Sequence, residues 1–244
     1  MQLEGNTVLI TGGSSGIGLG LAQRFLRARS TVIVCGRDER KLRAAQAQHP
    51  ELVTYACDVG TAADREALVR WATREHPQLN VVINNAGIQR RVQLAQVEPW
   101  SECEAEIAIN FDAPVHLCRL VIPHLLTQAR PVLVNVTSGL AFLPATSVPI
   151  YAATKAALHS FTMSLRQQLA ATPIQVIEII PPAVHTDLGG AGVHASGVPL
   201  DEFSDAIVQR LERGELEIGY GFSEKVRLAS RAEIDEMVKG MNQR

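Results

Sequence analysis

Four cysteines in 244 residues, none in a C-x-x-C pair, are too few and too scattered for a disulfide framework. Cys35, Cys57, Cys103 and Cys118 therefore read as reduced, buried, small apolar residues, as in a cytosolic protein. Histidine is sparse as well. No second or third ligand stands at metal spacing from His185 or His194, so no metal site is expected. No apolar run approaches the length of a bilayer span. The opening MQLEGNTVLI lacks a basic stretch and reaches a glycine turn too soon for a signal peptide. These absences predict a soluble, cytoplasmic chain with no membrane partner. Charge of one sign is also missing: 23 Lys+Arg against 25 Asp+Glu leave a net charge of −2, with no block of like charge. Nucleic acid is accordingly excluded as a partner. There is no internal repeat, linker or low-complexity segment. Residues 1–244 are expected to form a single domain, large enough to need no staple.

What is present begins at Val8–Leu26, VLITGGSSGIGLGLAQRFL. A short apolar run ends at Thr11, and Gly12, Gly16 and Gly18 follow in a T-G-x-x-x-G-x-G spacing. Ile17, Leu21, Ala22 and Phe25 then recur at helical spacing. A strand, a tight turn and a helix leave the N–H groups of the helix N-terminus unpaired around one spot that favours an anion. Glycines let a bulky anion approach the backbone. The guest this suits is a pyrophosphate, although an ordinary glycine-rich turn has the same local pattern.

Strand-like runs then alternate with helical patterns: Thr31 to Cys35, Leu52 to Cys57, Val81 to Asn84, Val132 to Thr137, Ile174 to Ile180 and a weak Glu217 to Tyr220. Between them lie a charged helix over Asp38–Gln48, a helix opened by a Thr61/Asp64 capping box, and a long helix from Ser101 (capping partner Glu104) to Gln128. Helices over Tyr151–Ala170 and Asp201–Arg213 follow. The alternation predicts an α/β fold, a doubly wound, about seven-stranded, mainly parallel sheet with helices on both faces. In such a sheet ligands bind beyond the carboxyl ends of the strands. The polar residues there are Gly12 to Gly18, Arg37, Asp58, Asn85-Ala86-Gly87, Ser138 and the segment Pro181 to Thr186.

Tyr151 and Lys155 stand at i and i+4, on one helix face. An ammonium beside a phenol is expected to lower the phenol's pKa from ~10 and let it exchange a proton near neutrality. Ser138, at the end of the fifth strand, can hydrogen-bond a substrate oxygen.

Taken in order, T-G-x-x-x-G-x-G, N-N-A-G, Ser138, Y-x-x-x-K and P-x-x-V-x-T resemble the short-chain dehydrogenase/reductase family over roughly Asn6 to Tyr220. NNAGIQR, SGLAF and the pair Pro181-Pro182 resemble its DltE-like subfamily. The resemblance implies a Rossmann fold and an NAD(P) cofactor. It implies that Tyr151 is the general acid/base, that Lys155 holds the nicotinamide ribose and depresses the Tyr151 pKa, and that Ser138 orients the substrate. Asn110 is implied as the fourth catalytic residue. Ser14, Ser15, Gly16, Ile17 and Gly18 fall in the phosphate turn, Asp58 and Val59 beside adenine, Asn85 to Gly87 by the adenosine ribose, and Val184 and Thr186 by the carboxamide. One departure stands out: Pro182 replaces the family's glycine and removes an N–H.

Arg37 decides between cofactors. An acidic residue at the end of the second strand would hold both ribose hydroxyls of NAD. Here Gly36 and Arg37 occupy that place, and a guanidinium suits a 2′-phosphate. NADP is therefore expected in preference to NAD. Leu140, Phe142, Leu143, Pro144 and Ile150 are either a pocket wall or core. Arg90 and Arg91 either meet an acidic substrate group or are solvated. Gly189 to Gly197 reads as a flexible loop within a substrate lid over about 187–200. The expected activity is interconversion of a secondary alcohol and a ketone, with a turnover-free NADP(H) sensor as the alternative. Apolar faces on the two long helices (Leu117, Leu120, Val121, Leu125; Ala156, Leu158, Phe161, Leu165) and the resemblance predict a homodimer or homotetramer. Pro114 cannot pair with the Asn110 carbonyl, so a kink is expected there, and the resemblance implies a water joining that carbonyl to Lys155.

Overall fold

The computed structural model describes residues 1–96 and 99–242, and seven strands in it form one sheet in the order β3-β2-β1-β4-β5-β6-β7. They are β1 (Thr7–Thr11), β2 (Thr31–Gly36), β3 (Val53–Ala56), β4 (Leu79–Asn84), β5 (Val132–Val136), β6 (Gln175–Ile180) and β7 (Glu217–Gly219). All neighbours pair parallel, so the expected mainly parallel sheet is parallel throughout. The near-continuous apolar runs follow from this, because helices cover both faces.

Strand residues alternate between the two faces. Val8, Ile10, Val34 and Val81 pack with Leu21 and Phe25 of α1 (Gly16–Arg27) and with Phe203, Ile207 and Leu211 of α7 (Leu200–Glu212). Leu9, Ile33, Val82 and Leu133 pack with Leu68 of α3 (Ala62–Glu75), Leu117 and Val121 of α5 (Ala113–Leu125) and Leu165 of α6 (Pro149–Gln168). The strand order reverses between β1 and β4. Loops leaving their carboxyl ends diverge there and open a crevice.

Several local expectations are corrected. Asp38 lies outside α2 (Glu39–Gln48) as its cap, accepting the N–H groups of Arg40 and Lys41. The Thr61 box closes on one side only. Thr61 accepts the Asp64 N–H, but the Asp64 carboxylate turns to the Asp58 N–H, and the Thr61 N–H is taken by the Asp58 carbonyl. Ser101 caps nothing, because α4 (Trp100–Ile107) starts one residue earlier with extended Pro99 in the cap position. The long helix is broken: α4 passes through a π-turn, Ala108–Asp112, into α5. Pro114 in the first turn of α5 offers no N–H to the Asn110 carbonyl, and the chain widens there to i→i+5 pairing, with the Ala113 N–H on the Ala108 carbonyl.

Most of the apolar residues expected at an oligomer interface are core instead. Leu117, Val121, Leu125 and Leu165 are buried against the chain's own sheet and Leu158 is buried too, while Leu120, Ala156 and Phe161 are half-buried. Two helices lie outside the sequence reading, α8 (Phe222–Leu228) and α9 (Arg231–Asn242). Among the described residues, no helix is long and apolar enough to cross a membrane.

Candidate active site

A cleft of about 910 Å³ opens at the carboxyl edge of the sheet. Gly12, Ser14, Ser15, Gly16 and Ile17 line one end, and Ser138, Tyr151 and Lys155 line the other. At the first end Thr11 joins two strand ends. Its hydroxyl oxygen accepts the N–H groups of Asn85 and Ala86, both at 3.0 Å. The Asn85 amide donates back to the carbonyls of Thr11 and Gly12, at 2.9 and 3.2 Å. The Asn85 side chain is thus spent on holding the glycine turn. Gly12 has φ +64°, and a Cβ there would lie 2.9 Å from the Ala86 Cα, so only glycine fits.

Gly18 does not line the cleft. A Cβ on it would stand 2.5 Å from both the Asn85 amide nitrogen and the Gly12 carbonyl, so its place is to let α1 pack against the turn. Asp58, Val59, Ala86, Gly87, Val184 and Thr186 do line the cleft.

Arg37 lies at the cleft rim, exposed, and among the described residues it makes no ion pair. Lys41 joins it on the cleft wall. The sequence reading missed Lys41, although its place four residues after Arg37, on the first turn of α2, was a usable signal. Asp38 lies between them, but its carboxylate is engaged in capping α2, and the Lys41 N–H it accepts holds its pKa below the usual range.

At the other end, the Ser138 and Tyr151 side chains hydrogen-bond each other. The Ser138 Oγ also accepts the Leu140 N–H at 3.1 Å. Tyr151 and Lys155 are both buried. Lys155 Nζ donates to the Val136 carbonyl at 2.8 Å and lies 5.7 Å from the Tyr151 ring centre. The expected depression of the Tyr151 pKa is overturned in this arrangement. Burial pushes the hydroxyl up to about 12, the Ser138 hydrogen bond offsets only part of this, and the Glu106 charge adds to the rise. Lys155 itself is pushed down to about 8 by burial. Burial acts on the two groups in opposite directions because each charged form loses its water: the phenolate and the ammonium are both disfavoured.

Asn110 is fully buried and is not a cleft-lining residue. Its side chain clamps Ile88, accepting the Ile88 N–H at 2.9 Å and donating to the Ile88 carbonyl at 2.8 Å. It stands behind Gly87, where a Cβ would meet Asn110 Oδ1 at 3.4 Å and Lys155 Nζ at 3.6 Å. The Asn110 side chain thus holds the loop over Lys155, and only its backbone carbonyl is left for the role expected of it.

Of the apolar residues before α6, Leu140 lines the cleft, Leu143 is core, and the Phe142 ring packs tilted against His159 at 4.5 Å between ring centres. Arg90 lines the cleft and pairs with Glu102. From the segment 187–200, Asp187, Leu188, Gly189, His194 and Leu200 line the cleft. His194 hydrogen-bonds Gln89 at 3.1 Å, and Val184 bridges Val198. Phe222, Ser223 and Met241, from α8 and α9, also reach the cleft. They follow the stretch that carries the recognisable motifs, so no local pattern disclosed them.

The family model described as short chain dehydrogenase matches residues 6–195. The chain therefore belongs to the short-chain dehydrogenase family of oxidoreductases. It is 45% identical, over 99% of its length and 98% of the relative's, to the oxidoreductase DltE of Bacillus subtilis (strain 168). A short-chain dehydrogenase from Sphingobium yanoikuyae in complex with NADPH shares 29% identity with a TM-score of 0.81, covering 96% of this chain and 93% of that one. A 3-ketoacyl-(acyl-carrier-protein) reductase from Brucella melitensis complexed with NADH shares 27% identity with the same TM-score of 0.81, covering 91% and 99%. A Burkholderia cenocepacia short chain dehydrogenase in complex with NADP has the same fold, with a TM-score of 0.84 at 22% identity and full coverage of both chains.

Proposed function

We propose that this protein is an NADP-dependent oxidoreductase that interconverts a secondary alcohol and a ketone, with Tyr151 as general acid/base. The observation that carries this reading is the hydrogen-bonded pair Ser138–Tyr151 at one end of a cleft whose other end is a glycine turn flanked by Arg37 and Lys41. The turn fits a pyrophosphate, because Gly12 has no Cβ to obstruct it and the α1 N-terminus favours an anion. Arg37 and Lys41 would hold a 2′-phosphate, with NAD the less favoured cofactor. Asp58 and Val59 would flank adenine, and Lys155 would hold the nicotinamide ribose. The bound nicotinamide supplies or takes the hydride.

The chain's own residues supply position and the proton. Ser138 Oγ orients the substrate oxygen, with Leu140 beside it. In reduction the Tyr151 hydroxyl gives its proton to that oxygen; in oxidation it takes the proton from the alcohol. Burial keeps the hydroxyl protonated, which is the form that reduction needs. Segment 187–200 acts as a substrate lid and excludes water from the cleft. The test is NADPH oxidation against a panel of aliphatic, aromatic and 1,2-dicarbonyl ketones. Turnover of at least one member is expected. Tight NADPH binding with no turnover on any member would replace this reading with a turnover-free redox sensor.

Two further expectations belong to it. The interrupted helix frees the Asn110 carbonyl for a water that leads from Lys155 to solvent. Pro114→Ala restores a helical N–H and should lower kcat several-fold with little change in NADPH Kd; unchanged kcat would leave the π-turn a packing feature. The chain is also proposed to form a homodimer or homotetramer through α5 and α6, where Leu126 and Met163 are exposed beside half-buried Leu120 and Phe161. Light scattering at micromolar concentration should give a multiple of 26.5 kDa, and a monomer would refute it.

A further inference from the structure

Behind the cleft, three polar side chains from three elements meet in the core. Glu178 of β6 is completely buried. Its carboxylate accepts the Thr137 hydroxyl at 2.6 Å. It also faces His159 Nδ1, at 3.0 and 2.9 Å to its two oxygens. Thr137 immediately precedes Ser138. His159 lies on α6, one turn beyond Lys155 and two beyond Tyr151. The bridge therefore ties the strand end that carries Ser138 to the helix that carries Tyr151. A buried carboxylate is strongly disfavoured unless its hydrogen bonds are made, so a carboxylate kept here must hold its partners closely. Its two partners belong to the two elements whose relative position decides whether Ser138 and Tyr151 meet. Phe142, in the loop after Ser138, packs its ring tilted against that of His159 and adds a third connection to the same loop.

We propose that Thr137, Glu178 and His159 form a positioning bridge that sets Ser138 against Tyr151. His159 is a positioning residue, since it touches neither cleft nor substrate. The inference rests on the reading of Ser138 and Tyr151 as the reacting pair. The charged groups facing His159 are Glu178 on β6, Glu217 on β7 and Arg166 on its own helix, and Arg166 is paired with Glu217 at 2.7 Å. Glu178 raises the His159 pKa above its ordinary value. The charge-assisted form of the bridge is thus present below that raised pKa and is lost as pH rises through it. A shift of about 1 Å at a reacting group can cost about a hundredfold in rate, so loosening this bridge should act on kcat.

The test compares wild type with Glu178→Gln, which keeps the shape, with His159→Leu, and with His159→Asn, whose amide nitrogen can replace Nδ1. Three readouts are needed: proton NMR titration of His159, amide exchange at Leu140, whose N–H reports the Ser138 Oγ, and kcat with NADPH on the panel ketone that wild type reduces fastest. In Glu178→Gln the His159 pKa should fall to or below its ordinary value. The Leu140 amide should exchange at least tenfold faster, with the Val82 amide in the central sheet unchanged. In Glu178→Gln and His159→Leu kcat should drop at least tenfold with NADPH Kd within twofold. His159→Asn should recover kcat to within about threefold and lose the pH dependence seen where His159 titrates in wild type. Unchanged Leu140 exchange in Glu178→Gln, or exchange that speeds up equally at Val82, overturns the bridge. Failure of the carbonyl-reduction reading looks different: wild type would turn over no ketone of the panel, while the titration and exchange results would stand.

Discussion

Replacing Tyr151 with phenylalanine is expected to lower kcat for carbonyl reduction by about 10²–10⁴-fold, the range that one positioned proton donor contributes. The ring and its packing are kept, and only the hydroxyl that bonds Ser138 is lost. NADPH affinity, measured by fluorescence titration, should stay within about threefold, because Lys155 keeps its own bond to the Val136 carbonyl. A variant that retained more than about a tenth of wild-type kcat would remove Tyr151 from the proposed role. The pH dependence separates the two directions. With the hydroxyl held near 12, reduction should lose no rate near neutrality to Tyr151 ionisation. Oxidation, which needs the phenolate, should speed up as pH rises. Lys155 adds an alkaline limb: its ammonium is present below about 8 and lost above it, so kcat/KM, which reports the free enzyme, should fall as pH passes that value. A kcat/KM for reduction that stayed level up to pH 10 would contradict the burial argument.

The second large effect concerns the cofactor. Arg37→Ala should weaken NADPH binding by about 10- to 150-fold, the equivalent of about 1.5–3 kcal/mol for a charge-assisted hydrogen bond. NADH should be affected less than threefold, since it has no 2′-phosphate to lose contact with. The guanidinium makes no ion pair among the described residues and is exposed at the rim, so its removal should leave folding intact. Lys41→Ala should act in the same direction with a smaller effect, an ammonium being a point charge where a guanidinium grips a phosphate with two parallel bonds. Equal losses for both cofactors would show that Arg37 supports the site without reading the phosphate.

The glycine turn, the alternation of strands and helices, and the order of the motifs were all legible along the chain, because each depends on residues within one or two turns of each other. The apolar period identifies a strand before its neighbour is known, and Gly12 signals its turn by lacking a side chain. The break at Asn110 was also legible, because a missing N–H at Pro114 is a covalent fact. Its form, a π-turn in place of a sharp kink, depended on how α4 and α5 pack on either side.

Protonation was not legible in the same way. The Y-x-x-x-K spacing puts an ammonium near a phenol, but burial decides which charge survives, and burial is set by every element that closes over the pair. For the same reason the spacing could not show that Asn110 clamps Ile88 or that Leu117 and Leu158 face inward. It could not bring Phe222 and Met241 to the cleft, or join Glu178 to His159 and Thr137. By itself the sequence determined the family, the sheet and the line of polar residues at its carboxyl edge, since local hydrogen bonding and hydrophobic period are properties of short segments. Only the tertiary structure decided which of those residues face the cleft, which are spent holding its loops, and what charge each carries, because desolvation and long-range contact exist only once the chain has closed.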